Sequence, residues 1–351
     1  MVCVNEDVIK SVMKDEYGKT VVNITPLDGY IDANFKIDIV DGISDGHSGY
    51  ESVILKISSG STDSIILQHS IMTYLDVNGI TTCTPVKTTS GSTYCTENFH
   101  EDTNNDSEEQ VCTVLSYLPG ITLRSAGNPI YLMEDLGGFA GRVDKLLQTF
   151  EQEDIQPSET IWELTGTPKL KPLIEKYCDN DIKELAENII KAFENKILPV
   201  ITSFQKGYIH GDFNDCNFIV LQTLTKVDKY TISGLIDYGD ACVSFYVYEI
   251  ATLMADMMAV CQGKQNPFEV GKLILRGYRK EFELNSVELD NLRLIICIRM
   301  IQYYVLGAEI LEKDPSNEYA GLDRDEYISL CKYLWDIDDE RFRLELVENL
   351  N

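Results

Sequence analysis

Hydrophobic and polar positions alternate along the first third of the chain and then change period. Thr20 to Thr25 is mostly β-branched, and beyond the turn-forming P-L-D-G-Y-I-D-A the residues Phe35, Ile37 and Ile39 recur at every second position of Asn34 to Val40. Both stretches read as strands. The polar run D-G-I-S-D-G-H-S-G-Y predicts a loose hairpin tip. Val53-Ile54-Leu55-Lys56-Ile57 follows as a third strand with one lysine embedded in it. Ser61-Thr62-Asp63 can cap a helix over roughly 64 to 78, which Asn78-Gly79 ends. Further strands are expected at 82–88 and 110–117, separated by an acidic loop near 100–109, and Leu118-Pro119-Gly120 closes this strand-rich region.

After Gly120 the spacing turns helical. Gly137 to Phe150, Asp181 to Phe204, Phe245 to Val260, Pro267 to Phe282 and Ser286 to Glu312 carry apolar residues at helical intervals. Segments 217–222 and 231–236 depart from that pattern and predict a small β-hairpin among helices. No internal repeat or low-complexity tract stands out. The expected fold class is α+β in two lobes: a small antiparallel sheet with one helix over 1–119, and a larger, mainly helical lobe over 120–351.

A chain of 351 residues with 44% apolar content and a mean hydropathy of −0.13 has enough apolar material for a full core. Thirty Lys plus Arg stand against 57 Asp plus Glu, a net charge of −27. Nucleic acid and anionic membranes demand a basic surface, so neither is expected as a partner. The apolar runs fall short of the roughly 20 residues a bilayer crossing takes, and M-V-C-V-N-E-D-V-I-K lacks the basic and apolar regions of a secretory signal. Ten cysteines without a C-x-x-C pair suit reduced thiols in a cytoplasmic protein. The four histidines, at 47, 69, 100 and 210, are not paired at zinc-ligand spacing.

The chemistry concentrates between Gly207 and Met258. G-Y-I-H-G-D-F-N-D-C-N-F-I-V places Asn217 five residues after Asp212, and S-G-L-I-D-Y-G-D places Asp237 after a second apolar stretch. Phosphoryl transfer from a nucleotide needs a carboxylate for the attacking hydroxyl's proton and oxygen ligands for magnesium on the phosphates. Two aspartates and an asparagine at this spacing can supply that set. The bland alternative makes Asp212 a cap and Asn217 a turn residue.

With H-G-D-F-N-D-C-N and I-D-Y-G-D in this order, the chain closely resembles the aminoglycoside phosphotransferase and choline kinase family, a branch of the protein-kinase-like fold. The resemblance implies Asp212 as the proton acceptor, with Asn217 and Asp237 holding Mg²⁺. It also implies that Lys56 meets the nucleotide phosphates, and that the Asp28–Asn34 loop, with Asp32 and Asn34, covers them. That loop is not G-x-G-x-x-G. The family usually pairs the lysine with a glutamate on the following helix, yet Ser64 to Tyr74 contains none; Gln68 or Asp63 is the available substitute.

A finer resemblance, to the hydroxylysine kinases, comes from D-x-N-F at 32–35, V-L-S-Y-L-P-G at 114–120, G-R-V-D-K-L-L-Q-T-F at 141–150, I-W-E-L at 161–164 and D-P-S-N-E-Y at 314–319. It implies GTP as donor, or ATP in its place, with the base against the backbone of Ser116, Tyr117 and Leu118 between the lobes. The implied acceptor is 5-hydroxy-L-lysine; choline, ethanolamine, homoserine or another amino alcohol is the alternative. An acceptor with two ammonium groups and a carboxylate calls for acidic side chains and an arginine or a nest of backbone amides. Asp240 and Glu249 are the candidate acids and Arg299 the candidate for the carboxylate. Two of them have a structural alternative: Asp240 as cap of a helix near Val243, Arg299 as a partner in an internal ion pair. Trp162 and Tyr246 are possible pocket walls. A kinase fold retained only for binding is the competing class.

Overall fold

In the computed structural model, which describes residues 4–27, 29, 32–40, 50–58, 60–98, 110–152, 160–223 and 229–348, the alternating apolar positions of the first third line one face of an antiparallel sheet. Its strands are β1 (Thr20–Leu27), β2 (Ala33–Val40), β3 (Glu51–Ser58), β4 (Cys95–Glu97) and β5 (Gln110–Ser116), in the order β1-β2-β3-β5-β4. Ile37, Ile39, Val53, Leu55, Ile57, Cys112 and Val114 pack under a helix that the periodicity did not announce, α1 (Glu6–Asp15), through Ile9, Val12 and Met13. Because side chains alternate across a strand, Lys56 emerges on the other face, between Asn34 of β2 and Thr113 of β5. Helix α2 (Thr62–Val77) follows β3 directly.

Residues 82–88 do not form the expected strand. Pro85 has no amide proton to give a ladder, and the segment meets β5 in an isolated bridge, Pro85 to Leu115. Val86 N donates to the Val114 carbonyl (2.8 Å) and Ser116 N to that of Thr84 (2.8 Å), while β4 takes the rest of that edge of β5. The expected hairpin tip at 41–49 and the acidic loop at 100–109 lie outside the described residues.

Among the described residues the chain divides into two compact units: this one, ending at Leu118, and a second that takes Asn78–Thr81 and everything from Pro119 onward. The second unit is mainly helical, with α3 (Met133–Leu147), α4 (Lys171–Tyr177), α5 (Asn180–Ala192), α6 (Tyr246–Val260), α7 (Pro267–Tyr278), α8 (Ser286–Lys313) and α9 (Arg324–Asp336). The helix expected through Phe204 stops at Ala192 and continues as a π turn and a 3₁₀ turn. Pro199, in the second of these, has no proton for an α-helical bond. Helices α3 and α7 cross at glycines: a Cβ on Gly137 would stand 2.0 Å from the Ile274 carbonyl oxygen, and one on Gly277 1.9 Å from that of Glu134.

Every residue of α6 from Tyr246 to Ala259 is buried, as expected of a helix apolar all round. Helix α8 starts in a capping box, Asn285 with Glu288. It is long and apolar enough to cross a bilayer by length and composition, but 67% of its most apolar window is packed inside this unit. Arg299, which breaks its apolar run, is drawn into the site described next. The nine described cysteines are free thiols.

Candidate active site

Four short strands of the second unit set the two motif loops facing each other. Strand β7 (Lys206–Ile209) pairs antiparallel with β10 (Cys242–Phe245), Ile209 opposite Cys242. Inside that pair, β8 (Phe218–Gln222) and β9 (Tyr230–Leu235) form the expected hairpin, with β6 (Ile121–Thr122) on its edge. Residues 210–217 therefore run from β7 to β8, and residues 236–241 from β9 to β10. Three contacts lock the loops together. His210 Nε2 lies 3.0 Å from the Ile236 carbonyl, Ile236 N donates to the Asn217 carbonyl (2.9 Å), and Gly211 rests against the Asp240 carbonyl. Asp240 caps no helix, because β10 intervenes and α6 begins only after Phe245.

Asp212 sits at the start of this cradle with its carboxylate ringed by four donors. Asn214 Nδ2 (2.8 Å) and Asn217 Nδ2 (2.9 Å) reach Oδ2; Arg299 Nη2 (3.1 Å) and the Tyr303 hydroxyl (3.2 Å) reach Oδ1. Asn217 Nδ2 also bonds the Asp212 carbonyl (2.9 Å), which turns its amide oxygen away from the aspartate. Asp237, exposed, lies one residue beyond the point where Ile236 meets Asn217. Its φ of +61° is a left-handed conformation that an aspartate holds at a cost of about 1–2 kcal/mol. Strain of that kind is kept where the side chain's direction matters. An amide oxygen and a carboxylate at one end of a hairpin are hard donors of the sort magnesium takes, and magnesium needs only one or two protein ligands beside phosphate and water.

The structure places Arg299 differently from a substrate-carboxylate ligand. Its side chain is buried, with the guanidinium 4.3 Å from the Tyr303 ring, 4.8 Å from Trp162 and 5.8 Å from Tyr248. Nη1 bonds the Trp162 carbonyl and the Tyr248 hydroxyl; Nη2 bonds Asp212, Tyr303 and the Gly211 carbonyl. Burial opposes the charge, but the oxygens of Tyr303, Tyr248 and Asp212 outweigh it and raise the pKa of the group well above its ordinary value. The internal ion pair is what forms. Glu249 is likewise fully buried: its Oε2 accepts from Gly211 N (2.8 Å) behind the loop, where a substrate ammonium has no access. Burial, then the nearby Asp144, pushes its carboxyl well up. Asp240 is half-buried in the loop before β10, Trp162 is half-buried beside Tyr303 (5.7 Å between ring centroids), and Tyr246 is buried on α6.

Several supports were missed from the sequence. Asp215, inside the motif, accepts from Arg124 Nε (2.9 Å) and Asn128 Nδ2 (2.7 Å), and its own amide donates to Asp256 (2.9 Å). Asn214, also inside the motif, was readable there; the spacing of Tyr303, four residues after Arg299 on one helix face, becomes a signal only once Arg299 is known to meet Asp212.

In the first unit, Lys56 Nζ stands 3.0 Å from Asp32 Oδ2, and the other oxygen of Asp32 accepts from the Ser58 hydroxyl (2.7 Å). The carboxylate that pairs with the lysine thus comes from the residue just before β2. Of the two expected substitutes, Gln68 turns to the Ser64 hydroxyl (3.2 Å) and Asp63 is exposed. Asn34 lies opposite Lys56 in register. Ser116 takes Thr84 N on its hydroxyl (2.9 Å), and the Tyr117 ring lies under Lys36 Nζ (4.8 Å); Leu118 ends this unit. Residues 28, 30 and 31 of the expected phosphate loop lie outside the described residues.

His69 of α2 is buried with Nδ1 unpartnered. Burial, with a smaller push from Lys56, lowers its pKa from 6.5 to about 4. Unfolded chains would bind a proton here between those values that the folded chain refuses. Stability is therefore expected to fall as pH drops through the window, by up to about 3 kcal/mol. Denaturant unfolding at pH 7 and pH 4.5 checks this against His69→Leu, whose loss between the two should be smaller; equal losses would refute it.

The family comparison matches residues 25–282 to the phosphotransferase enzyme family. Hydroxylysine kinase of Xenopus laevis is 28% identical over 329 residues, covering 90% of this chain and 85% of that protein. The mouse enzyme of the same name is 27% identical over 317 residues, covering 88% and 83%. Among solved structures, a microcompartment-associated aminopropanol kinase aligns over 99% of this chain and 100% of its own with a TM-score of 0.70 at 15% identity. An amicoumacin kinase in complex with AMP-PNP aligns over 96% of each chain with a TM-score of 0.68 at 18% identity. These likenesses show a kinase-like fold.

Proposed function

We propose that this chain, which belongs to the phosphotransferase enzyme family, transfers the terminal phosphate of GTP to the hydroxyl of 5-hydroxy-L-lysine, with Mg²⁺ as cofactor. The observation that carries the reading is the Asp212 carboxylate, held in one orientation by side-chain donors and adjoining the amide of Asn217. The acceptor oxygen attacks the γ-phosphorus, the bond to the bridging oxygen breaks, the nucleoside diphosphate leaves, and the acceptor's proton passes to Asp212. Asn217 and Asp237 are the ligands assigned to magnesium, which neutralises phosphate charge when bound. Lys56, oriented by Asp32, is assigned to the nucleotide phosphates. The acceptor is supported by relatives named for hydroxylysine over most of the chain; GTP is the donor that the resemblance of the sequence motifs implies, and ATP is the other candidate donor.

The test is nucleotide consumption by the purified protein with Mg²⁺ and either GTP or ATP, across 5-hydroxylysine, lysine, choline, ethanolamine and homoserine. Consumption that requires 5-hydroxylysine, with kcat/KM higher for GTP, is the expected result. Equal consumption with lysine, which has no side-chain hydroxyl, would mean hydrolysis and not transfer. Transfer only to another amino alcohol would replace the acceptor and leave the chemistry in place.

A further inference from the structure

A carboxylate offers about four lone-pair positions, and those of Asp212 are all taken. Asn214 and Asn217 fill Oδ2 at 2.8 and 2.9 Å, and Arg299 and Tyr303 fill Oδ1 at 3.1 and 3.2 Å. An acceptor hydroxyl that is to give its proton to this carboxylate must first bond it, so one donor has to yield.

The distances say which. The two amide bonds are of ordinary length, and the bond from Arg299 is charge-assisted and fixed by further bonds to Trp162, Tyr248 and Gly211. The Tyr303 bond is O–H···O, for which 2.7–2.8 Å is usual, and at 3.2 Å it is the weakest of the set. Its phenol has a second bond to keep, accepting from Arg299 Nη2 (3.2 Å), and its ring stays stacked on Tyr327 (4.8 Å, 18° between planes) whatever the hydroxyl does.

We propose that the Tyr303 hydroxyl is a placeholder for the acceptor: it occupies the Oδ1 position of Asp212 until the substrate hydroxyl takes it, and so keeps water off the base. Tyr303 is a positioning residue in this scheme, and the inference rests on Asp212 being the base. Its chemical content is that the acceptor enters from the side of the Tyr303 and Trp162 rings, and that the empty enzyme holds a base with no free acceptor position.

Tyr303→Phe tests it, since the ring and its stacking are kept. Removing the competing bond is expected to raise kcat/KM for the acceptor by about fivefold, through a lower acceptor KM. Nucleotide hydrolysis without acceptor should rise by a similar factor, because water can then reach Oδ1. A role in holding the fold would not raise either quantity. Acceptor kcat/KM that falls, or hydrolysis that stays level, overturns the placeholder. Asp212→Asn in the same assay separates the two levels: turnover retained there removes the base assignment, whereas turnover lost there with no gain in Tyr303→Phe removes the placeholder alone.

Discussion

Asp212→Asn is expected to lower turnover by about 10²–10⁴-fold, the usual contribution of a positioned general base. The substitution is nearly isosteric but inverts half of the local hydrogen-bonding. Four donors converge on the carboxylate, and an amide brings two further protons to a place where only the Tyr303 hydroxyl could turn to accept one. Whichever way the amide turns, either Arg299 with Tyr303 or Asn214 with Asn217 meets an N–H. Arg299 is buried at 1% exposure and loses its anionic partner. Breaking a buried pair from one side costs about 3–5 kcal/mol, and the partial exposure of Asp212, 20% for the side chain, argues for the lower end. A loss of about 3 kcal/mol should accompany the loss of turnover. The variant is therefore assayed at low temperature, with folding followed by circular dichroism and nucleotide affinity by titration. A folded variant that binds nucleotide and turns over within tenfold of the wild type would take Asp212 out of the proton's path.

The parts of this site that were legible in the sequence are those written within a few residues of one another. H-G-D-x-x-x-x-N and the following aspartate lie on two consecutive loops, and the β8–β9 hairpin between them brings Asn217 and Asp237 to one end by register alone. Strands β1, β2, β3 and β5 and helices α2, α3, α6, α7 and α8 were readable for the same reason, since burial of one face imposes a period on neighbouring positions, whereas α1 and most of the shorter elements were not. What was not readable is the part of the ring of supports that comes from far along the chain. Arg299 and Tyr303 lie 87 and 91 residues from Asp212, and Arg124 lies 91 from Asp215. No local pattern distinguishes a buried arginine that holds a base from one that waits for a substrate. Glu249 shows the same limit: a polar residue in an apolar helix says that something is bonded there, and here the partner is the Gly211 amide. The missing helix glutamate was a question of where, not whether. Lys56 finds a carboxylate at Asp32, two residues before its register partner Asn34.

Gly211→Ala is the second large effect, and it should fall on both stability and turnover. Gly211 holds φ +85°, and a Cβ there would stand 2.3 Å from the Asp240 carbonyl oxygen, which is backbone and cannot swing aside. The left-handed conformation costs an alanine about 1–2 kcal/mol, and forcing the contact apart about 1–3 more. The loop has little freedom to relax. Glu249 grips the Gly211 amide at 2.8 Å, His210 is bonded to Ile236 at 3.0 Å, and Asp212 is tied to four side chains. Displacement must then appear at Asp212, the next residue, and a shift of about 1 Å at a reacting group costs on the order of 100-fold in rate. Gly79→Ala supplies the control: φ there is +89° but nothing lies within 4 Å of the added methyl, so only the conformational cost applies. The expected pattern is a modest loss of melting temperature with activity kept in Gly79→Ala. Gly211→Ala should show a larger loss of melting temperature together with a kcat reduced about 100-fold. Equal destabilisation of the two, with Gly211→Ala still active, would mean that the loop yields without moving the base, and that the contact with Asp240 is not what fixes it.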